Sequence, residues 1–329
     1  MDGRQREDAM ASQVLIGDIG GTNARFGLAS PGSGLQTQSV REFPVAGFES
    51  LGAAARHYLE QLQATIVSAE FAVAGKVDGD EVRITNHPWL ISASGTASLL
   101  GVERVGLLND FAAQAMAITA LAADDVAMIG PGRWQGMDRA RDATFAVIGP
   151  GTGLGVGALL VREGRCFALE TEGGHAGFAP TDEDDVRVLE CLMRRFGRVS
   201  CERLVSGPGL SNLHEVACEI HGHEYRPLTP AQITAGAADG DAACNRAIHY
   251  FCAAFGAMAG DIVLTHGAWD GVFLAGGLVP RLLPALQAPV FRARFTSKGR
   301  FASAVARVPC MAVVHPQSGL LGAAAHALS

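Results

Sequence analysis

Val14–Leu28 reads VLIGDIGGTNARFGL. Two short apolar runs, VLI and ARFGL, flank a tight turn at Gly20-Gly21, the pattern of a β-hairpin. The turn carries more chemistry than a hairpin requires. Gly17-Asp18 and Ile19 close the first run, and Thr22 and Asn23 bring a hydroxyl and an amide behind the glycines. Lacking a Cβ, Gly20 and Gly21 let the backbone approach a ligand and turn its N–H groups toward an anion. The Asp18 carboxylate sets a ligand for a divalent cation beside that anion. A nucleotide phosphate with Mg²⁺ satisfies both features. A structural hairpin with a capping Asp satisfies this stretch equally well.

The unit recurs. TFAVIG (Thr144–Gly149) is an apolar run, Pro150-Gly151-Thr152-Gly153-Leu154-Gly155 is a glycine turn, and VGALLV returns. GPGTGLGVG fails G-x-G-x-x-G in every register, so it is not a dinucleotide fingerprint. Two hairpins with the same flanks can instead enclose a polyphosphate, and a repeated supersecondary unit points to two similar domains. A third glycine turn, Ala275-Gly276-Gly277, ends the run GVFL.

Composition narrows the classes. The 329 residues suit one large domain or two ordinary ones, and 48% hydrophobic with 18% charged residues provides a substantial core. The net charge of −7, scattered arginines and only two lysines, Lys76 and Lys298, argue against a nucleic-acid partner. Gly75-Lys76-Val77 lacks the hydroxyl of a G-K-[ST] phosphate loop, so backbone amides and a metal must do most of the holding. No apolar run is read as long enough to span a bilayer. MDGRQREDAM is charged and has no apolar core, so residues 1–12 read as a flexible tail, not a secretory signal, with Met10 a second candidate start. The seven cysteines form no C-x-x-C and read as reduced thiols in a cytoplasm, mostly small core residues.

Along the chain, Leu35–Phe43 reads as a third strand and Phe48–Gln63 as an amphipathic helix. AEFAVAG and VERVGLL read as buried strands, and VDGDEVRITN as a hairpin. Residues 123–142 are polar and Gly-rich, the expected seam between domains. Helices follow in DEDDVRVLECLMRRFG, PGLSNLHEVACEIHG and the long GDAACNRAIHYFCAAFGAMAGDIVLTHG, then a last strand, MAVVH, and a closing helix, SGLLGAAAHAL.

Five side chains stand out beyond the glycine loops. Asn109-Asp110 ends an apolar strand, where α/β sheets bind ligands; Asp110 is either a general base for a hydroxyl or the cap of the next helix. Glu172-Gly173-Gly174-His175 places Glu172 and His175 on one bent loop suited to a polyhydroxyl ligand, or holds a hydrogen-bonded loop histidine. Glu202 in CERLVSGPG is a further ligand contact or a solvated charge. H-E-x-x-H is absent, since His214-Glu215 leads to Cys218, and Ser206 is not in a G-x-S-x-G elbow.

Taken together, GDIGGTNARFGL, TNHPW, LLNDF, GPGTGLGVG, EGGH with FAP after it, ERLVSGPGL, GVFLAGG, KGRF and SGLLGAAA resemble the bacterial glucokinase family, in order and spacing, from Gln13 to the C-terminus. That family lies within the hexokinase, actin and heat-shock chaperone superfamily. The resemblance implies a two-domain actin-like ATPase fold of ribonuclease H-like type, with mixed sheets flanked by helices and an active-site cleft between domains. It implies a small domain at 13–122 plus 312–329 and a large domain at 123–311.

It further implies ATP-dependent phosphorylation of glucose, with Asp110 as base on the 6-hydroxyl. Asn109, Asp110, Glu172, His175 and Glu202 would contact the sugar. Gly17, Asp18, Ile19, Gly20, Gly21, Thr22, Asn23, Gly151, Thr152 and Gly153 would lie along the phosphates, with Gly276 and Gly277 near the adenosine. Asp18 would serve Mg²⁺ through water. A homodimer is usual in the family. The related repressor/kinase (ROK) branch commonly carries a cysteine-rich zinc motif soon after the Glu-x-Gly-His; here Cys191 follows alone, so no such zinc is expected. No room precedes Val14 for a DNA-reading helix-turn-helix. A kinase of fructose, mannose or an amino sugar, and a sugar-binding regulator without catalysis, are the competing readings. The glycine loops themselves suit ATP, ADP or polyphosphate alike.

Overall fold

In the computed structural model the described residues are 13–84 and 87–329. The expected tail at 1–12, with Met10, and Thr85 and Asn86 of TNHPW lie outside them. The chain forms two compact units: one takes the chain up to Leu121 together with Pro316–Ser329, the other takes Ala122–His315.

The first unit opens with β1 (Val14–Ile19), β2 (Asn23–Ser30) and β3 (Gly34–Pro44). These pair antiparallel in sequence order because short turns join them. Helix α1 (Leu51–Leu62) then carries the chain across to β4 (Ser68–Val73), parallel to β1. A small sheet of β5 (Val77–Asp78), β6 (Glu81–Arg83) and β7 (Leu90–Ser92) leads through α2 (Ala93–Leu100) to β8 (Arg104–Asn109), parallel to β4, and then to α3 (Asp110–Ala117). The main sheet order is β3-β2-β1-β4-β8. Its core is aromatic: Phe26 lies 5.5 Å from Tyr58 and edge-on to Phe71 at 6.2 Å. The buried Tyr58 hydroxyl is satisfied by donating to the Ser39 carbonyl at 3.0 Å.

The second unit repeats the plan. Strands β9 (Val126–Met128), β10 (Ala143–Pro150), β11 (Leu154–Arg162) and β12 (Arg165–Thr171) precede helices α4 (Glu183–Phe196), α5 (Gly207–His221), α6 (Pro230–Ala238) and α7 (Ala242–His266). Then come β13 (Gly271–Leu274), α8 (Val279–Gln287), α9 (Pro289–Thr296), α10 (Ala302–Val305) and β14 (Cys310–Val313). The sheet order is β12-β11-β10-β13-β14-β9. Its first five strands follow the pairing of the first unit, an antiparallel hairpin with parallel strands added on its far side. The terminal helix α11 (Ser318–Ala327) belongs to the first unit, where Gly322 lets it cross α3 closely: a Cβ there would overlap the Ala113 carbonyl.

Several readings need correction. The seam at 123–142 contains β9, which pairs antiparallel with β14. Residue 312 lies within β14, so the chain leaves the second unit at Pro316. α3 stops at Ala117 and continues to Leu121 only as tight turns. Helices α6, α8 and α9 were not expected. α7 is long and apolar enough to cross a membrane by length and composition, against the sequence reading, but 78% of its most apolar window is buried. Phe251 and Phe255 are fully buried there and pack with Phe291 and Phe295 of α9, as in the core helix of a soluble unit.

Candidate functional site

In the first unit, the cross-strand register sets Asp18 opposite Arg25. Gly17 beside it has no Cβ because Phe71 fills that space. Ile19 is a core residue, fully buried, and its carbonyl accepts from Ala74 at 3.0 Å. The turn proper is held by Gly20 N–H donating to the Asn23 carbonyl at 3.0 Å, and by Val45 N–H donating to the Thr22 carbonyl at 3.0 Å.

Burial pushes the Asp18 carboxyl up from its ordinary value, with Arg25 pulling the other way. That guanidinium is 3.7 Å from Asp18 but 2.7 Å from Glu42, so its charge is shared. α11 begins against the same carboxylate: a Cβ on Gly319 would stand 2.7 Å from Asp18 Oδ2. A desolvated carboxylate whose one nearby cation is already engaged fits a further cation, so the donor chemistry suits a hydrated Mg²⁺.

β8 ends at Asn109 and α3 starts at Asp110. Asn109 Oδ1 caps the helix, accepting from the N–H groups of Phe111 at 2.8 Å and Ala112 at 3.3 Å. Its Nδ2 donates to the Gly75 carbonyl at 3.1 Å. The cap is therefore Asn109. Asp110 is the first helical residue, where the helix dipole favours a carboxylate, and its Oδ1 accepts from Phe111 N–H at 3.0 Å.

In the second unit, the β10–β11 hairpin is braced from outside. Glu202 Oε2 accepts from Leu154 N–H at 2.9 Å, and a Cβ on Gly153 would come within 2.6 Å of the same oxygen. Glu202 is thus half-buried and tied to the loop, not a solvated charge. Gly151 N–H donates to the Gly153 carbonyl and Gly207 N–H to the Gly151 carbonyl, both at 2.8 Å. Beyond β12, Glu172 to His175 form one turn, with His175 N–H donating to the Glu172 carbonyl at 3.0 Å. Gly174 is obligatory, because a Cβ would overlap the Leu154 carbonyl. The Glu172 and His175 side chains, 74% and 59% exposed, approach to 4.0 Å, open to a ligand.

A cavity of about 680 Å³ in this unit joins Gly151 and Thr152 to Gly277, within the size range of small-molecule sites. Three helices begin on its wall: α5 with Gly207 and Pro208, α6 with Pro230 and Ala231, and α8 behind Leu278. Helix N-termini present unpaired N–H groups and positive potential, which suits an anionic ligand. Arg281 adds a cation. The glycines here divide by cause. Gly276 has φ +89° and a Cβ there would stand 2.7 Å from the Pro150 carbonyl oxygen, so the fold itself requires glycine. Gly151 and Gly277 have neither positive φ nor any atom within 4 Å of a Cβ, so the protein alone does not require glycine there. Gly153 and Gly276 stand behind the cavity wall, not on it. Thr229 and Arg281 escaped the sequence reading. The one local signal was the box Thr229-Pro230-Ala231-Gln232, in which Thr229 and Gln232 cap each other.

Known proteins resemble this chain over nearly its whole length. The sequence pattern of the family described as Glucokinase matches residues 15–329. The chain is 57% identical over 321 residues to a glucokinase of Stenotrophomonas maltophilia (strain R551-3), covering 97% of this chain and 96% of that one. A crystal structure of glucokinase from an Antarctic psychrotroph matches with TM-score 0.86 and 33% identity, covering 96% of this chain and 98% of that one. A ROK family glucokinase from Streptomyces griseus, in complex with glucose and AMPPNP, shares the fold at TM-score 0.63 and 16% identity, covering 95% and 98%. The fold is the two-domain actin-like one with mixed sheets and flanking helices. From the profile match and the near-full-length identity together, the chain belongs to the glucokinase family.

Proposed function

We propose that this glucose kinase transfers the γ-phosphoryl group of ATP to the 6-hydroxyl of glucose, with Asp110 as general base. Asp110 accepts the hydroxyl proton as that oxygen bonds to the γ-phosphorus, the bond to the β,γ-bridging oxygen breaks, and ADP leaves. Asn109 does two jobs: it fixes the start of α3 and offers its amide to the sugar. Glu172, His175 and Glu202 supply acceptors and donors for the remaining hydroxyls. A site built this way rejects sugars lacking a hydroxyl, because its own polar groups would then go unpaired.

The observation that carries the nucleotide assignment is the pair Gly151 and Gly277, glycines on one cavity wall that the fold does not itself need. The close approach of a phosphate or adenosine gives them a reason. The lining by Leu228, Thr229, Pro230 and Leu278 suits the purine of ATP, and the three helix starts suit its phosphates. In the first unit, Gly20, Gly21, Thr22 and Asn23 offer their amides to phosphate oxygens. Asp18 would hold Mg²⁺, which neutralises charge on the phosphate oxygens when bound.

A homodimer and a cytoplasmic location go with the family reading. Seven thiols without a disulfide support the reducing compartment.

A coupled assay of the purified chain with Mg²⁺, a panel of hexoses, and ATP, ADP or polyphosphate tests the proposal. Turnover is expected with ATP and glucose, with a kcat/KM for glucose above that for fructose, mannose and amino sugars. Preference for another hexose or donor would replace the substrate assignment, and binding without turnover would leave a regulator.

A further inference from the structure

Away from the nucleotide cavity, the helical layer of the second unit gathers four metal-ligating side chains from two helices and a loop. His214 and Cys218 stand four residues apart on α5, hence on one face. Asp241 caps α7, accepting from Cys244 N–H at 2.8 Å, and Cys244 lies in the first turn of that helix. One His214 ring nitrogen, an Asp241 carboxylate oxygen and Cys244 Sγ all lie within 4.8 Å of one another. Cys218 Sγ is 3.8 Å from His214 Nε2. Cys218, Cys244 and His214 are each 4% exposed or less.

A second observation is independent of the clustering. His214 Nδ1 is buried and has no hydrogen-bond partner. Buried polar atoms are as a rule paired, so the orphaned Nδ1 of a histidine that also stands among a carboxylate and thiols asks for a partner. Gly236 of α6 faces Cys244, and a Cβ there would stand 2.9 Å from the sulfur.

We propose that His214, Asp241 and Cys244, which lie within 4.8 Å of one another, together with Cys218 beside His214, form a structural site for one divalent cation of the zinc class. The donor set is one imidazole, two thiols and one carboxylate, the N/S-rich, four-ligand composition that zinc favours over Mg²⁺ or Ca²⁺. Around a tetrahedral zinc, sulfur and nitrogen ligands are held about 3.5 Å apart, close to the His214–Cys218 separation of 3.8 Å. The site is distinct from the cysteine-rich ROK motif, whose absence the sequence shows; here the spacing is H-x₃-C on one helix and D-x₂-C at the start of another.

Burial raises both thiols, Cys244 to about 12, so each is neutral until metal displaces its proton into solvent. The ion would pin α5 to α7 across α6, and α5 and α6 are helices whose first turns wall the nucleotide cavity.

The test titrates metal-free full-length protein with Co²⁺ alone. One equivalent is expected to produce a thiolate-to-cobalt charge-transfer band and intense tetrahedral d–d bands, both erased by Zn²⁺. Cys244→Ser is expected to abolish the charge-transfer band or weaken it at least twofold, with kcat within about twofold of the parent. Saturating Co²⁺ without these bands, or unchanged bands in folded Cys244→Ser, overturns the site. Should that variant not fold, thiol alkylation of the parent chain followed by peptide mapping decides. Zn²⁺ is expected to protect Cys218 and Cys244 while sparing no other cysteine, and equal labelling with and without Zn²⁺ overturns the proposal.

Discussion

The two glycine hairpins share a plan and differ in what holds them. The first, between β1 and β2, carries its own carboxylate, Asp18, opposite Arg25, with α11 packed behind it. The second, between β10 and β11, has Pro150 at the end of its first strand and borrows its carboxylate from outside, through Glu202 and Leu154 N–H. The first lies in the same unit as Asp110 and suits the charge and proton side of phosphoryl transfer. The second opens on a cavity walled by three helix starts and suits holding a nucleotide. One supersecondary unit, used twice, has acquired two different surroundings because different elements pack against it.

Asp110→Asn gives the widest separation of these roles. It should lower kcat by at least ~10²-fold, the lower end of what a general base contributes, and leave glucose binding within a few fold. Near-normal turnover would move the chemistry out of the first unit. Next in size, Glu172→Gln should raise the glucose KM about tenfold, the worth of one charge-assisted hydrogen bond, and the ATP KM much less. A larger rise for ATP would place Glu172 with the nucleotide.

A matched pair of glycine variants probes the second hairpin. Gly151→Ala should raise the ATP KM by roughly threefold to tenfold while the melting temperature stays within about 2 °C, since no protein atom lies where the Cβ goes. Gly174→Ala should instead lower the melting temperature by roughly 5 °C or more, because its Cβ meets the Leu154 carbonyl. Calorimetry and steady-state kinetics on both would show whether the two glycines do differ in cause.

The smallest effect concerns Asp18. Its carboxyl is raised in the folded chain, so ionisation costs stability above the folded value, and the cost disappears as pH falls below the unfolded value near 3.8. In the absence of metal, Asp18→Asn should therefore raise the melting temperature at pH 7–8 by roughly 1–3 °C, with the gain fading as the medium turns acidic. A fall at neutral pH would mean that Asp18 is there for its ion pair with Arg25.

Much of this was legible in local pattern. The hairpins, the strands at Ala69–Val73 and Val105–Leu108, and the helix at Leu51–Leu62 announce themselves by glycine turns, continuous apolar runs and helical spacing. α6 shows little helical patterning because Ile233 is its one fully buried hydrophobic residue, and α8 and α9 carry prolines at 280, 284 and 289, which weaken the local helical signal. β9 is three half-buried residues, a strand only because β14 offers it an edge.

Residue types and short-range spacing are enough to specify two glycine hairpins, the Asn109-Asp110 strand end, the Glu172–His175 turn and the family to which they point, since hairpins and caps depend on neighbours a few residues away. Three matters depended on packing between distant segments. One is which of Asn109 and Asp110 caps α3. Another is that Glu202 braces a loop that precedes it by some fifty residues, Leu154 to Glu202 being 48. The third is that the chain near residues 151, 207, 230 and 277 closes one cavity. Burial of a polar group, and the vacancy a missing Cβ leaves, are properties of what surrounds a residue in space, and no local pattern along the chain encodes them.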